Sequence, residues 1–130
     1  GEVVAASIPL ALLIAVVLFI NQFQDYTADK ATGKHNLVVR LGRARSSVVF
    51  AAMLAASYLS LIVGVAGFDV SPFALLALLT VPLAWKAGRT ARRFYDDYLR
   101  LTPANQSTIM VHMLAALLMT LGYAVEKAVN

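Results

Sequence analysis

The sequence predicts an all-α membrane protein with four transmembrane helices, and three observations support this fold class. Hydrophobic residues make up 60% of the 130 residues and charged residues only 14%, whereas soluble domains average about 45–50% and about 25%. Four apolar stretches approach the roughly 20 residues that a helix needs to cross a bilayer. Nine of the eleven Lys and Arg residues lie in two segments between these stretches, and a tenth, Lys86, lies at the end of the third stretch. Together these features predict a single transmembrane helical region that contacts the lipid bilayer.

The apolar stretches define the expected spans, at about residues 3–23, 48–68, 70–88 and 107–127. The third span reaches the required length only if Lys86 extends its amine to the membrane interface. Pro9 and Pro82 lie inside spans and are expected to kink them or unwind them locally. In the second span, small residues recur every four positions and predict a face for close helix packing; they are Ala52, Ala56, Ser60 and Gly64.

The basic residues predict the orientation of the chain. They fall in the segments 24–47 and 89–106 and at Lys86, and cytoplasmic loops collect Lys and Arg. We therefore expect both loops to face the cytoplasm and both termini to lie outside, in the cytoplasmic membrane of a prokaryote. Residues Thr90 to Leu101 can form an amphipathic helix at the interface. The chain has no cysteine, and no nucleic-acid partner is expected.

Three polar residues at the end of the first span form the main candidate site. Asn21, Asp25 and Asp29 are spaced by four, so on a helix all three project from one face. Two carboxylates one turn apart repel each other, and a divalent cation removes that repulsion. Mg²⁺ prefers carboxylate oxygens and commonly bridges to substrate phosphates, while the Lys and Arg residues that follow can neutralise an anion such as diphosphate. The pattern therefore indicates metal and phosphate binding at a membrane surface.

An ordinary structural role is the alternative, because two Asp residues at this spacing form a weak pattern. Asp25 and Asp29 can be solvated loop residues with Lys30 and Lys34 as helical partners. Asp29 can also cap a short following helix. Residue spacing alone leaves these possibilities open.

The stretch "NQFQDYTADKATGKHNLVVRLG" resembles the second aspartate-rich motif of the UbiA superfamily of intramembrane prenyltransferases. In that family an Asp-x-x-x-Asp pair precedes Gly-Lys and then Val-Arg-Leu-Gly, which here are Asp25, Asp29, Gly33, Lys34 and residues 39–42. A second stretch, "LRLTPANQSTIMVHMLAALLMTLGY", is similar to the last spanning helix of the family. Within the family, the variant Gly-Lys-x-x-Leu-x-Val-Arg-Leu-Gly resembles most the motif of the 1,4-dihydroxy-2-naphthoate prenyltransferases of menaquinone synthesis, and neighbouring branches share it.

The resemblance implies a nine-helix bundle in which two aspartate-rich motifs hold Mg²⁺ ions across a central cavity. The ions would bind the diphosphate of an isoprenyl donor, and an aromatic acceptor would attack the allylic cation left when this diphosphate departs. The roles carried over are catalytic metal ligands for Asp25 and Asp29, assistance to the metal for Asn21, and diphosphate binding for Lys30, Lys34 and Arg40. Arg40 can instead contact lipid phosphates, as we expect for Arg43 and Arg45 at the start of the second span.

The chain departs from the family pattern in having one aspartate-rich motif and four predicted spans. Because its first residue is Gly1 rather than Met, we expect a C-terminal part of a longer enzyme whose missing N-terminal half carries the first motif. Such a part would hold half of the metal site and would be inactive alone. Two other classes stay open: a transporter subunit, for which only His112 offers an ionisable group within a span, and a non-catalytic membrane scaffold.

Overall fold

The computed structural model describes residues 1–130, which form helices joined by short turns, without strands. Six α-helices and one 3₁₀ segment follow one another along the chain: α1 (Glu2–Gln24), α2 (Tyr26–Ala31), α3 (Leu37–Leu41), α4 (Arg43–Gly67), the 3₁₀ segment (Pro72–Thr80), α5 (Val81–Phe94) and α6 (Tyr98–Val129). By length and composition, three of these helices are able to cross a membrane, namely α1, α4 and α6. The expectation of an all-α membrane fold is therefore confirmed at this level.

The predicted third span divides into two pieces. Residues Pro72–Thr80 form a 3₁₀ helix and Val81–Phe94 an α-helix. Pro82 lies in the first turn of α5, where the missing N–H of proline leaves no helical hydrogen bond unmade. Pro82 therefore marks the change from 3₁₀ to α geometry and does not kink the interior of a helix.

The separate amphipathic helix expected over Thr90–Leu101 is wrong. The chain turns at residues 95–97, so the first part of this stretch completes α5 and the last part begins α6. The Asp97 side chain accepts a hydrogen bond from the backbone N–H of Arg100, which is the usual role of an N-cap aspartate. This cap starts α6 nine residues before the predicted fourth span.

Five of these elements pack in a ring, in which the 3₁₀ segment and α5 together form one side. Helix α1 contacts α4 and α6, α6 runs along the 3₁₀ segment and α5, and α5 closes the ring against α4. The core between them is filled by side chains that are almost fully shielded, the largest of which are Phe50, Ile20, Leu61, Leu101, Val16, Val38 and Val111. On α4, the buried side chains include Phe50, Leu54 and Leu61 at helical spacing.

The small-residue face predicted for α4 is not its packing face in this chain. Ala52 and Ala56 are exposed, and only Gly64 is buried, where a Cβ would lie 3.0 Å from Cγ2 of Val70. The helix instead buries the neighbouring face that carries its larger apolar side chains, because these remove more apolar surface.

Polar contacts fix the two ends of the ring. At one end, the backbone N–H of Ser71 donates to the Tyr123 hydroxyl at 3.4 Å. At the other end, Gln24 Nε2 donates to Asn105 Oδ1 at 3.0 Å, and Arg92 donates to Ser47 Oγ at 3.0 Å. Residues 25–42 and 95–97 therefore lie at the same end of the bundle, opposite both termini.

A single glycine allows the close contact between α6 and the 3₁₀ segment. A Cβ at Gly122 would overlap the carbonyl group of Phe73, and backbone cannot move aside as a flexible side chain can.

We expect Gly122→Ala to destabilise the protein by about 1–3 kcal/mol, even though Ala is the better helix former. Thermal unfolding in detergent measures this change. Gly67→Ala is the matched control, because no atom lies within 4 Å of its added Cβ; equal unfolding temperatures for the two variants would contradict the close contact.

Candidate functional site

The backbone aligns the three polar residues at the end of α1. The N–H of Asp25 donates to the carbonyl of Asn21 at 3.2 Å, and the N–H of Asp29 donates to the carbonyl of Asp25 at 2.8 Å. Asp25 joins α1 to α2 with helical dihedrals, φ −89° and ψ −2°. The helical path therefore continues from Asn21 to Asp29, and the three residues lie one turn above another.

The two carboxylates have different surroundings. Asp25 is exposed, and its side chain makes no hydrogen bond or ion pair within the chain. Asp29 is half-buried, and its Oδ2 accepts a hydrogen bond from Asn36 Nδ2 at 2.7 Å. Asp25 thus has both oxygens available for a ligand, whereas Asp29 has one oxygen held by the protein and one available.

Asn36 connects Asp29 to the next helix. Its Oδ1 accepts the N–H of Val39 at 2.8 Å and so caps α3, while its Nδ2 holds the Asp29 carboxylate. The intervening loop turns at Gly33, which has a φ of +79°, a conformation that glycine adopts without strain. The N–H of Lys34 then donates to the Asp29 carbonyl at 2.8 Å. The loop therefore folds back onto the aspartate.

The predicted diphosphate-binding residues are not equally placed. Lys30 turns towards Tyr26, with its Nζ 3.4 Å from the Tyr26 hydroxyl. Lys34 and Arg40 are exposed, and neither side chain hydrogen-bonds within the chain. The single ion pair in the structure joins Arg100 and Asp97, at 3.6 Å. Lys30 and Lys34 therefore do not form ion pairs with Asp25 and Asp29.

Arg43 has a different position from the one expected. Its guanidinium lies 4.3 Å from the centroid of the Tyr26 ring, within the range of a cation–π interaction. Tyr26 also lies 5.5 Å from the Lys30 ammonium, so one aromatic ring gathers two cations directly beside Asp25 in the chain. Arg43 therefore has a protein contact that the sequence did not predict, and its expected contact with lipid headgroups stays a prediction.

Helix α6 contributes a residue that the sequence reasoning did not single out. Asn105 is 9% exposed; its Nδ2 donates to Asn21 Oδ1 at 2.9 Å, and its Oδ1 accepts from Gln24 Nε2. Buried amides need such partners, so Asn105 fixes the orientation of Asn21. Asn105 begins the polar run Asn-Gln-Ser-Thr that precedes the apolar part of α6, and this run was the available signal.

The residues present fit a magnesium ion that is shared with a phosphate. No group of three or more His, Asp or Glu side chains gathers in the structure, so the chain does not provide a cation cage by itself. Mg²⁺ does not require one: it keeps several waters and is usually bound by one or two carboxylates together with substrate phosphates. The free oxygens of Asp25 and Asp29, one helical turn apart, match that requirement.

Comparison with known proteins identifies the family. Residues 1–109 match the model of the UbiA prenyltransferase family, and the chain belongs to this family, as the motif resemblance predicted. Over 115 residues it is 34% identical to the 1,4-dihydroxy-2-naphthoate octaprenyltransferase of Escherichia coli (strain K12). That match covers 85% of this chain and 36% of the relative, so the chain spans about a third of the length of that enzyme. No solved structure matches the chain.

The double role of Asn36 can be separated by two substitutions. Asn36→Ala removes both the cap of α3 and the link to Asp29, whereas Asn36→Ser keeps a capping oxygen but is too short to reach Asp29. We expect Asn36→Ala to speed hydrogen exchange of the Val39 amide about fivefold, as the loss of about 1 kcal/mol of cap implies. Asn36→Ser should leave the Val39 amide protected and speed exchange only in residues 30–35. Exchange in residues 30–35 of Asn36→Ser that matches the parent would show that the link to Asp29 does not order the loop.

Proposed function

We propose that the protein to which this chain belongs transfers a polyprenyl group from an isoprenyl diphosphate to an aromatic acceptor, in a Mg²⁺-dependent reaction. Family membership supports prenyl transfer as the class of reaction. The relative acts on 1,4-dihydroxy-2-naphthoate, as its name states, and this supports an aromatic acceptor of quinone biosynthesis. Since the chain spans 36% of that relative, the activity is proposed for a protein of the relative's full length.

One observation carries the proposal: two carboxylates in helical register, with three oxygens free of protein partners, stand at the end of an apolar helix. Asp25 would hold the metal from the exposed side and Asp29 from the loop side. Asn21 would supply an amide whose orientation Asn105 fixes. Carboxylates placed where a lipid-soluble donor meets water suit a substrate with an apolar tail and a charged head.

The chain's own residues would bind and orient the diphosphate. Lys34 is exposed on the loop that folds back onto Asp29, so its ammonium can reach an anion held above the carboxylates. Arg40, on the last turn of α3, offers a second cation, and Lys30 can turn away from Tyr26 to offer a third. Mg²⁺, when bound, would supply positive charge that stabilises the departing diphosphate. Cations that contact this leaving group are worth most in the transition state, where its charge grows.

We propose four spans, with the basic end of the bundle in the cytoplasm. The 3₁₀ segment and α5 follow each other directly. At about 2.0 Å and about 1.5 Å of rise per residue, their nine and fourteen residues are long enough together to cross a core of roughly 30 Å. The excess of Lys and Arg in the two loops supports a cytoplasmic location for them.

No contact in the structure supports a transporter subunit or a membrane scaffold as the function of this chain. His112 is half-buried on α6 and makes no hydrogen bond in the structure, and no second ionisable side chain is paired with it. A proton or ion pathway would require such a partner within the span.

The carboxylates provide the first test of the proposed activity. In a protein of the relative's full length, we expect Asp25→Ala and Asp29→Ala each to lower prenyl transfer at least a hundredfold, because each removes a metal ligand, while membrane insertion is unchanged. Transfer of a labelled prenyl diphosphate to the naphthoate acceptor, at fixed Mg²⁺ concentration in liposomes, measures the effect. Asp96→Ala is the matched control, since Asp96 is an exposed aspartate without a hydrogen bond in the other loop, and it should stay within threefold of the parent. Activity within threefold for both site variants would rule out the metal-ligand assignment.

The proposed topology has its own test. The chain has no cysteine, so single cysteines introduced at Ala44, Thr90 and Asp69 report on the side of the membrane. We expect a membrane-impermeant thiol reagent to label positions 44 and 90 only from the cytoplasmic side and position 69 only from outside. Labelling of positions 44 and 90 from opposite sides would show that the 3₁₀ segment and α5 do not form a span.

A further inference from the structure

A groove of about 530 Å³ runs between α4 and α5 on the surface of the bundle. It exists because small residues face it from both helices: Ala51 and Ala55 on α4, and Ala84 and Gly88 on α5. At Gly88 the helices come close, since a Cβ there would lie 3.8 Å from Cδ1 of Leu54. The volume falls within the range of about 300–1,000 Å³ that small-molecule sites occupy.

The walls of the groove are apolar and aromatic. Tyr58 contributes its ring, because its hydroxyl is engaged with Thr80 Oγ1 at 2.6 Å. Trp85 lies on the rim and is 73% exposed. No acidic residue lines the groove, and none of its lining residues comes from α1, α2 or α3. The groove is therefore separate from the Asp25 and Asp29 site.

Two arginines define one end of the groove. Arg92 donates to Ser47 Oγ on the opposite helix at 3.0 Å, which anchors its guanidinium across the groove. Arg89, one turn earlier, is exposed and makes no hydrogen bond or ion pair in the structure. This end lies towards the basic loops, so in the proposed orientation the arginines meet the headgroup layer. The groove is apolar along its walls and carries two arginines but no acidic residue at one end. These properties match an amphiphile with an anionic head.

We propose that the groove between α4 and α5 binds an acyl chain of an anionic phospholipid, with the lipid phosphate held by Arg89 and Arg92. Guanidinium groups bind phosphate oxygens in paired hydrogen bonds, and the cytoplasmic leaflet is rich in anionic lipids. The small residues admit the chain, and Trp85 packs beside it at the depth where interfacial aromatics lie. The inference rests on membrane insertion and on the proposed orientation, and it is independent of prenyl transfer.

Trp85 makes the test direct, because it is the single tryptophan of the chain. The 130-residue chain is reconstituted in phosphatidylcholine vesicles that contain a small fraction of acyl-brominated lipid, which quenches nearby indoles. We expect brominated phosphatidylglycerol to quench Trp85 at least twofold more than brominated phosphatidylcholine at the same mole fraction. Equal quenching by the two lipids would overturn the proposal. Excess inorganic phosphate should leave the preference intact, and its loss would instead assign the arginines to a soluble anion.

Substitutions locate the lipid within the chain. We expect Arg89→Gln to lower the preference for phosphatidylglycerol at least twofold; Arg89 has no partner in the fold whose loss would disturb it. Arg93→Gln is the matched control, because Arg93 lies on the same helix but outside the groove, and it should preserve the preference. Ala55→Phe fills the groove and should remove the preference, whereas Ala52→Phe, on an exposed part of α4 outside the groove, should not. An effect of Arg93→Gln as large as that of Arg89→Gln, or a preference that survives Ala55→Phe, would contradict groove binding.

Discussion

The buried amide of Asn105 holds the end of α1 against α6, and the geometry of the candidate site depends on this contact. The Asn105 side chain donates a hydrogen bond to Asn21 and accepts one from Gln24, so it binds two side chains that lie about one turn apart at the end of α1. In an apolar environment, an amide without these partners would lose several kcal/mol of hydrogen bonding. The pairing therefore fixes the rotation of α1 about its own axis. Because Asp25 and Asp29 continue the same helical path, that rotation also decides where both carboxylates point.

The carboxylates themselves oppose the stability of this arrangement. Asp25 lies at the C-terminal end of α1, where the helix dipole disfavours negative charge, and Asp29 adds a like charge one turn later. No lysine or arginine forms an ion pair with either residue. The nearby cations Lys30 and Arg43 are instead drawn to the Tyr26 ring. A cation that binds to unpaired negative charge at a helix end removes this electrostatic repulsion. The repulsion between the carboxylates and the helix dipole is therefore consistent with a site that is completed by a metal ion.

The sequence predicted those features that local spacing encodes and missed those that depend on distant contacts. Apolar stretches identified α1, α4 and α6, although the helices run past the predicted spans where polar residues such as Ser46 and Ser47 continue the helix. The four-residue spacing from Asn21 to Asp29 predicted their shared face, and backbone hydrogen bonds follow that spacing. Asn105 is 84 residues from Asn21, so no local pattern reveals their contact. The packing face of α4 was mispredicted because small residues permit close approach without specifying which neighbour approaches.

The position of Asn36 explains how a short polar loop can keep its shape at the end of an apolar helix. A loop that begins at the end of one span has few apolar contacts with which to hold its shape, and α2 buries no side chain. Asn36 compensates because it caps α3 with one end of its amide and holds Asp29 with the other. The same amide thus sets both the start of the next helix and the direction of a carboxylate. Since Lys34 lies between these two fixed points, its backbone is already ordered, and this would lower the entropy lost in the proposed contact of its side chain with an anion.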